Sequence, residues 1–304
     1  MADRIDGIFN IMATPFDADD KVDVASLRNL INFQIDKGAH GLTIIGVLGE
    51  VAKLNIEERQ LIFDTVMETV NGRIPIVVGT SHSNVKTVID LTKAAFAGGA
   101  DGVMIAPPAL DQPIDDNVIA FYSEVANAVD QPIVAQDFPL INNVIMSPDL
   151  VATLAEKIPN FRHLKLEDPP LMQKIGAILE RTDKIRIFGG LGGMFLLEEL
   201  NRGAHGTMTG FAFTEVLIAI YDALKVGDKG RATDIFDKYL PLIRFENQPV
   251  INLTIRKFIL YKRGAIAHPL PREPYAPIDE DTKAEVEWMM SRVGITDPTA
   301  KINF

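Results

Sequence analysis

The sequence contains no cysteine among its 304 residues. Without thiols the chain has no disulfide bonds, no thiolate zinc or iron–sulfur sites, and no cysteine nucleophile. A chain of this kind suits a reducing compartment, and we therefore expect a cytoplasmic protein.

Basic residues are outnumbered, because 30 Lys and Arg stand against 41 Asp and Glu and give a formal net charge of −11. This excess of negative charge disfavours nucleic acids and anionic membranes as partners. A small anionic substrate would then need a local positive group inside a pocket, such as one lysine.

Long apolar runs are missing as well. No segment approaches the roughly 20 consecutive apolar residues of a membrane span, and the first residues, Met1–Asp6, lack the apolar core of a signal peptide. Hydrophobic residues still make up 47% of the chain and charged residues 23%. This composition predicts a soluble protein with a large folded core.

Short apolar runs alternate with amphipathic segments along most of the chain. The predicted strands are Gly7–Met12, Gly41–Ile45, Ile74–Gly79, Gly102–Ala106, Ile133–Gln136, the segment from Phe161 to the prolines at 169 and 170, Ile185–Phe188, and Gly206–Thr209. Eight strands, each followed by a helix, predict an α/β fold, a closed parallel (β/α)8 TIM barrel over residues 1–227.

Residues 228–304 do not continue this alternation. Helical patterns at Ala232–Phe245, Val250–Tyr261 and Thr282–Val293 predict a C-terminal helical extension packed on the barrel.

A doubly wound sheet is the rival architecture, and it requires a Gly-x-Gly-x-x-Gly turn after the first strand. The chain has no such turn. The glycine cluster Gly189–Gly193 comes too late and lacks the acidic residue expected about 20 positions further on.

The sixth strand carries the residues that most suggest chemistry. Its alternation places Leu164 and Leu166 on one face and His163, Lys165 and Glu167 on the other. A lysine on the inner face of a buried strand is poorly hydrated, which favours the neutral, nucleophilic amine. Taken alone, the pattern also fits a surface lysine at a strand end, so the interpretation depends on the surrounding residues.

Barrel enzymes gather their reactive groups where strands end and the following loops begin. In this chain those positions hold Thr14, Gly46–Glu50, Thr80–His82, Gln136, Asp137, Lys165, Glu167, Gly189, Gly190, Met208 and Thr209. The set contains one lysine and no arginine, so Lys165 is the only cationic side chain that it offers to an anionic ligand.

Metal chemistry is a rival for this site, and it would need several converging His, Asp or Glu side chains. Only His82 and His163 lie near strands, where Glu50, Asp137 or Glu167 would supplement them. His163 is more typical of a core histidine and His82 of a loop hydrogen-bonder, so we predict no metal.

Three motifs together resemble a known family. They are Thr14-Pro15-Phe16, the Gly-x-x-Gly-Glu at Gly46–Glu50 followed by Leu54 and Glu57-Glu58-Arg59, and the lone lysine Lys165 on the sixth strand. They resemble the dihydrodipicolinate synthase / N-acetylneuraminate lyase family over essentially the whole chain. The resemblance implies a class I aldolase-type barrel, usually tetrameric, in which Lys165 forms a Schiff base with the 2-oxo carbon of pyruvate or a longer 2-oxo acid. The imine acidifies C3, so that a bond at C3 or C4 is made or broken.

The chain also departs from that family. Val47 and Leu48 replace two threonines, one that relays protons and one that binds the substrate carboxylate. Gln136 stands where a catalytic tyrosine is expected. The tyrosine that a neighbouring subunit donates is missing from Ala106–Ala109, and the arginine that binds aspartate semialdehyde has no counterpart in Leu140–Asn143. Dihydrodipicolinate synthesis proper is therefore not expected.

Three segments, Thr80-Ser81-His82, Gln136–Pro139 and Lys165–Glu167, resemble the branch that contains 2-keto-3-deoxy-L-arabonate dehydratase. This likeness implies a lyase that removes water from a 2-keto-3-deoxy sugar acid. The alternatives are an aldolase that releases or condenses pyruvate, and a barrel that binds a ligand without catalysis.

In the predicted reaction Lys165 is the nucleophile, Glu167 shuttles protons, and Gln136 takes part as a neutral catalytic group that orients the substrate. The predicted substrate contacts are the backbone amides of Val47, Leu48 and Gly49, which would hold the carboxylate, together with Thr14, His82, Gly189 and Met208. No cofactor is expected. The expected partners are a small 2-oxo acid and further copies of the chain, in a dimer or tetramer.

Overall fold

The structure, a computed structural model, describes residues 4–110, 112 and 114–304. Residues 1–3, on which part of the signal-peptide prediction rests, lie outside this description. Eight parallel strands form one closed barrel in which each strand pairs with the next and β8 pairs with β1. The strands are β1 Gly7–Ile11, β2 Gly41–Ile44, β3 Ile76–Gly79, β4 Gly102–Ile105, β5 Ile133–Asp137, β6 Phe161–Leu166, β7 Arg186–Gly189 and β8 Gly206–Thr209. The predicted (β/α)8 barrel is confirmed.

Most strand boundaries agree with the predicted ones to within a residue. The main differences are β3, which begins two residues later than predicted at Ile76, and β6, which ends at Leu166 instead of continuing to the prolines. Strand β5 continues one residue further than predicted, through Asp137. Asp137 stays in the ladder because its carbonyl accepts a hydrogen bond from the amide of Glu167 at 2.9 Å, a cross-strand contact that a single-strand pattern does not reveal.

Helices follow the strands and cover the outside of the barrel. They are α1 Val24–Asp36, α2 Ile56–Val70, α3 Val85–Ala97, α4 Asp115–Ala126, α5 Pro139–Asn142, α6 Pro148–Lys157, α7 Leu171–Leu179, α8 Leu196–Asn201, α9 Thr214–Lys225, α10 Lys229–Glu246, α11 Asn252–Lys262 and α12 Glu280–Arg292. Asn55 caps α2, and it forms a reciprocal capping box with Glu58. This pair satisfies two amides that would otherwise lack partners, which explains why the helix begins at Ile56.

The core has two layers that reflect the alternation of each strand. Leu164 and Leu166 belong to the outer layer, between the sheet and the helices. Inside the barrel, Phe188 and Met208 pack with side chains of the other strands, and the ring of His163 lies 5.9 Å from that of Phe188. His163 is therefore a buried residue of the barrel interior, as its position on β6 predicts.

The C-terminal extension consists of α10, α11 and α12, and α10 packs on α9. An internal ion pair ties it to the barrel, because Nζ of Lys257 on α11 lies 2.6 Å from Oε1 of Glu50, directly after the turn that follows β2. Oε2 of the same carboxylate is 2.9 Å from Nζ of Lys53. Glu50 thus joins the loop to the extension. The division of the chain at residues 227 and 228 stays a prediction.

Among the described residues, no helix is both long enough and apolar enough to span a membrane.

Candidate active site

A cavity of about 290 Å³ lies at the carboxyl ends of the strands, the end at which barrel enzymes place their reactive groups. It is lined by Ile11, Val47, Leu48, Met104, Gln136, Phe138, Leu140, Lys165, Glu167, Leu191, Gly192, Met208, Thr209, Asn247, Pro249, Asn252 and Arg256. The cavity thus brings together six of the predicted site residues, namely Lys165, Glu167, Gln136, Val47, Leu48 and Met208. Four others, Thr14, Gly49, His82 and Gly189, are not in its wall.

Lys165 reaches the cavity from β6, where it is only 4% exposed. Its backbone is in register with Gln136 on β5 and Phe188 on β7. Its Nζ atom lies 2.8 Å from Oε2 of Glu167. The amine is therefore buried in the barrel, faces a cavity, and is held against a carboxylate.

Glu167 is the centre of this arrangement. Its Oε2 atom also accepts a hydrogen bond of 2.8 Å from Nε2 of Gln136, and its Oε1 atom accepts a longer one of 3.4 Å from the amide of Leu191. Gly190 makes the space for this carboxylate, because a Cβ atom at that position would lie 2.5 Å from Oε1 of Glu167. The glycine-rich loop after β7 therefore has a steric role beside the carboxylate.

The pair of Lys165 and Glu167 has the geometry for proton transfer. A proton that moves from Nζ to Oε2 over 2.8 Å leaves a neutral amine and a carboxylic acid. Gln136 cannot ionise, so its part is to donate a hydrogen bond that holds Glu167 in place. The arrangement supplies a nucleophile and an acid–base group that face the same space.

The turn after β2 forms the wall that was predicted to bind a carboxylate. Val47 and Leu48 line the cavity, within a short 3₁₀ turn over Val47–Gly49. Gly49 differs from the prediction, since its amide already donates to the carbonyl of Gly46 at 3.0 Å. Its carbonyl accepts a 2.7 Å hydrogen bond from Oγ1 of the buried Thr14. Gly49 and Thr14 thus stabilise the turn through hydrogen bonds outside the cavity.

His82 and Gly189 also lie outside this cavity. His82 lines a separate groove beside α2 and α3, where its Nδ1 atom accepts a hydrogen bond from the amide of Asn84. Gly189 ends β7 beneath a carboxylate, because a Cβ atom there would lie 1.8 Å from Oε2 of Glu199. The prediction placed both residues by their distance from a strand end, which does not fix the direction that a side chain takes.

The neighbouring acidic residues Asp137 and Asp168 turn away from the cavity and share a lysine. Nζ of Lys174 lies 2.5 Å from Oδ2 of Asp137 and 2.7 Å from Oδ2 of Asp168. Burial raises the pKa of Asp137 to about 6, against the opposing effect of Lys174. This cluster supports the loops behind β5 and β6.

Another buried acid, Glu199 on α8, stands near Glu167. It is 1% exposed, and its Oε2 atom has no hydrogen-bond partner. Burial, with a contribution from the charge of Glu167, raises the pKa of Glu199 to about 8. Both effects favour the protonated carboxylic acid at Glu199.

The C-terminal extension also supplies residues that line the cavity, namely Asn247, Asn252 and Arg256. The predicted site did not include them because it was taken from the strand ends alone. Asn247 secures the loop after β7, because its Nδ2 atom donates to the carbonyl of Leu191 at 3.0 Å. Arg256 brings a second cation to the cavity, so the prediction that Lys165 is the only one is wrong. The sequence contains one signal for this residue: the charged pair Arg256-Lys257 stands between the apolar Ile255 and Phe258 in the middle of a predicted helix.

Within residues 4–110, 112 and 114–304 there is no group of three His, Cys, Asp or Glu side chains placed to hold a metal ion.

The fold and the cavity define a barrel enzyme with a lysine–carboxylate pair at its catalytic end. The family model described as the dihydrodipicolinate synthetase family matches residues 4–293, and the chain belongs to this family. The family resemblance of the motifs is thus confirmed.

Relatives of known name agree with this assignment. The chain is 32% identical over 286 residues to L-2-keto-3-deoxyarabonate dehydratase of Azospirillum brasilense, which covers 92% of both chains. The crystal structure of dihydrodipicolinate synthase from Rhodopseudomonas palustris superposes with a TM-score of 0.91 at 32% identity, over 96% of this chain and 99% of that one. YagE of Escherichia coli K12, solved in complex with pyruvate, gives 0.87 at 25% identity, over 95% and 98% of the two chains. The protein is accordingly an enzyme of the lyase class.

Proposed function

We propose that this protein is a Schiff-base lyase that removes water from a short 2-oxo acid, namely a 2-keto-3-deoxy sugar acid. The observation that carries the proposal is the buried Nζ atom of Lys165, which faces the cavity at the carboxyl ends of the strands and lies 2.8 Å from Glu167. The relative from Azospirillum brasilense, whose name states a dehydration of such an acid, supports the choice of reaction.

The first step is formation of the imine. Lys165 passes a proton to Glu167, and its neutral amine then adds to the C2 carbonyl of the substrate. The carbinolamine hydroxyl takes a proton from Glu167 and leaves as water. The product is an iminium ion between Nζ and C2, whose positive charge acidifies the protons on C3.

The second step is the elimination. The carboxylate of Glu167 removes one proton from C3, and the electron pair forms an enamine. The enamine expels the hydroxyl group from C4, which takes the proton back from Glu167 and leaves as water. Hydrolysis of the conjugated imine then frees Lys165. One molecule of water is lost overall, and no cofactor takes part.

A screen of 2-oxo acids tests this proposal. Each acid is incubated with the protein and borohydride, and the products of the untrapped reaction are identified by mass spectrometry. We expect trapping by pyruvate and dehydration of at least one 2-keto-3-deoxy sugar acid. Lys165→Ala should abolish both, whereas His82→Ala should retain both because that side chain lies outside the cavity. Trapping without loss of water from any such acid would refute the dehydratase assignment.

An aldolase reaction is the second candidate, and the pyruvate bound to YagE favours it. The same iminium ion would then allow the bond between C3 and C4 to break, with release of pyruvate and an aldehyde. The products decide between the two reactions, because dehydration keeps all the carbon atoms in one molecule.

The assembly and location of the protein remain predictions. The family resemblance suggests a homo-oligomer, a dimer or a tetramer, which light scattering of the purified protein would measure. A cytoplasmic location is still suggested by the absence of cysteine.

A further inference from the structure

Arg256 is a buried cation in the cavity wall whose hydrogen bonding is incomplete. It lies on α11 and is 1% exposed. Its Nε atom is 2.7 Å from Oε1 of Glu246, and Oε2 of Glu246 accepts a hydrogen bond from the amide of Ala212 at 3.0 Å. Glu246 therefore holds the guanidinium group through its Nε atom and does not pair with the two Nη atoms.

The Nη1 atom of Arg256 is buried and has no hydrogen-bond partner. Leaving a charged donor without a partner costs more free energy than leaving a neutral one, and most buried polar groups in proteins are hydrogen-bonded. Nη1 itself is covered by protein atoms, but Arg256 lines the cavity, so a rotation of the side chain would let a ligand there supply the acceptor that the protein does not.

The position of the guanidinium group is shown by Gly210, directly after β8. A Cβ atom on Gly210 would lie 2.8 Å from Nη1 of Arg256 and 2.9 Å from the carbonyl oxygen of Ile11. Because Gly210 has no side chain, Nη1 of Arg256 can lie next to the ends of β8 and β1. Strand β1 pairs with β2, which leads into the turn of Val47 and Leu48.

We propose that Arg256 binds the carboxylate of the 2-oxo acid, together with the turn of Val47 and Leu48. This inference rests on the proposed function. Neither Val47 nor Leu48 has a hydroxyl group, and the amide of Gly49 is already occupied. Once Lys165 has become the imine, Arg256 is the lining cation, among the described residues, that is left for a carboxylate. A guanidinium group suits this task because it stays charged and offers paired donors.

Two other roles would give different results. Arg256 could serve only to lock α10 and α11 to the barrel through Glu246, in which case its loss would affect all ligands alike. It could instead bind a second carboxylate at the far end of a longer substrate, in which case pyruvate would not sense its loss.

The test compares a ketone that has a carboxylate with one that lacks it. Borohydride trapping rates are measured for pyruvate, acetone and 2-oxoglutarate with the wild type, Arg256→Met and Arg256→Lys. Arg263→Met is the matched control, because Arg263 is a buried guanidinium at the end of α11 that pairs with Glu215 outside the cavity.

For Arg256→Met we expect the pyruvate concentration at half-maximal trapping to rise about 10- to 100-fold, with acetone trapping unchanged and Arg256→Lys intermediate. Arg263→Met should trap pyruvate as the wild type does. Equal losses for pyruvate and acetone would overturn the inference in favour of a structural role. An effect confined to 2-oxoglutarate would overturn it in favour of a distal carboxylate site.

Binding without the imine separates this inference from the proposed function. Titration calorimetry in a Lys165→Ala background measures pyruvate affinity directly. If Arg256 binds the carboxylate, adding Arg256→Met weakens that affinity at least about 10-fold, whereas adding Arg263→Met does not. A failure of trapping in the wild type would refute the imine alone, and an unchanged affinity in this background would refute the role of Arg256.

Discussion

Replacing Glu167 by glutamine should separate the shape of the site from its acid–base chemistry. Oε2 of Glu167 accepts two hydrogen bonds of 2.8 Å, from Nζ of Lys165 and Nε2 of Gln136. In Glu167→Gln the amide oxygen can take that position and accept both. The side chain keeps its volume between Gly190 and Lys165 but can no longer take up a proton.

The expected loss follows from that single change. A positioned acid–base group contributes about 10²- to 10⁴-fold to a rate, so removal of the C3 proton should slow by a factor in this range. Imine formation uses Glu167 to deprotonate Lys165 and to protonate the carbinolamine hydroxyl, and because water can also carry out both transfers, this step should slow less. The ratio of the two effects is the signature of a proton shuttle.

Pyruvate allows the measurement without knowledge of the natural substrate. In deuterated water, exchange of its methyl protons reports imine formation followed by C3 deprotonation, and the decay of the methyl signal in proton NMR gives the rate. Asp168→Asn is the matched control, since Asp168 is adjacent in sequence but pairs with Lys174 outside the cavity. Exchange in Glu167→Gln at the wild-type rate would refute the assignment of Glu167.

Two further predictions follow from residues around Glu167. Gly190→Ala should slow pyruvate exchange by about 10²-fold, because the added Cβ atom would displace the carboxylate of Glu167. Gly230→Ala is the control and should leave exchange unchanged, since the atom nearest to its added Cβ would be 3.8 Å away. Exchange at the wild-type rate in Gly190→Ala would contradict the steric role of Gly190. Glu199 has its pKa raised from 4.5 to about 8 in the folded protein, so the folded state keeps a proton that the unfolded state loses, and its contribution to stability falls as pH rises through this window. Between these two pKa values, Glu199 should therefore lower the free energy of unfolding of the wild type by up to about 1.4 kcal/mol for each pH unit. Glu199→Gln should lack this decrease. Urea unfolding across that range checks this, and equal pH slopes in the two proteins would contradict it.

The fold was predictable because its signals are local and repeat. Each strand shows as a short apolar run, and the helix that follows shows as a periodic apolar face, as with α2 after its cap at Asn55. The lysine was predictable for a related reason, because alternation along β6 assigns Lys165 and Leu164 to opposite faces.

The parts of the site that could not be predicted depend on contacts between distant segments. Arg256 enters the cavity from the extension, 91 positions beyond Lys165 in the chain, and no local pattern gives the direction of α11. His82 was assigned to the site because it follows β3, but a loop side chain turns freely and this one points into another groove. The amide of Gly49 was predicted to be free, whereas the 3₁₀ turn uses it.

Peptide mapping of the protein after borohydride reduction with pyruvate identifies directly which amine forms the imine. The chain contains its own comparison, because Lys174 and Lys257 are also buried, at 7% and 0% exposure, but are held in ion pairs outside the cavity. We expect the pyruvyl adduct on Lys165 alone. An adduct on Lys174, on Lys257 or on a surface lysine, or no adduct with any 2-oxo acid, would contradict it.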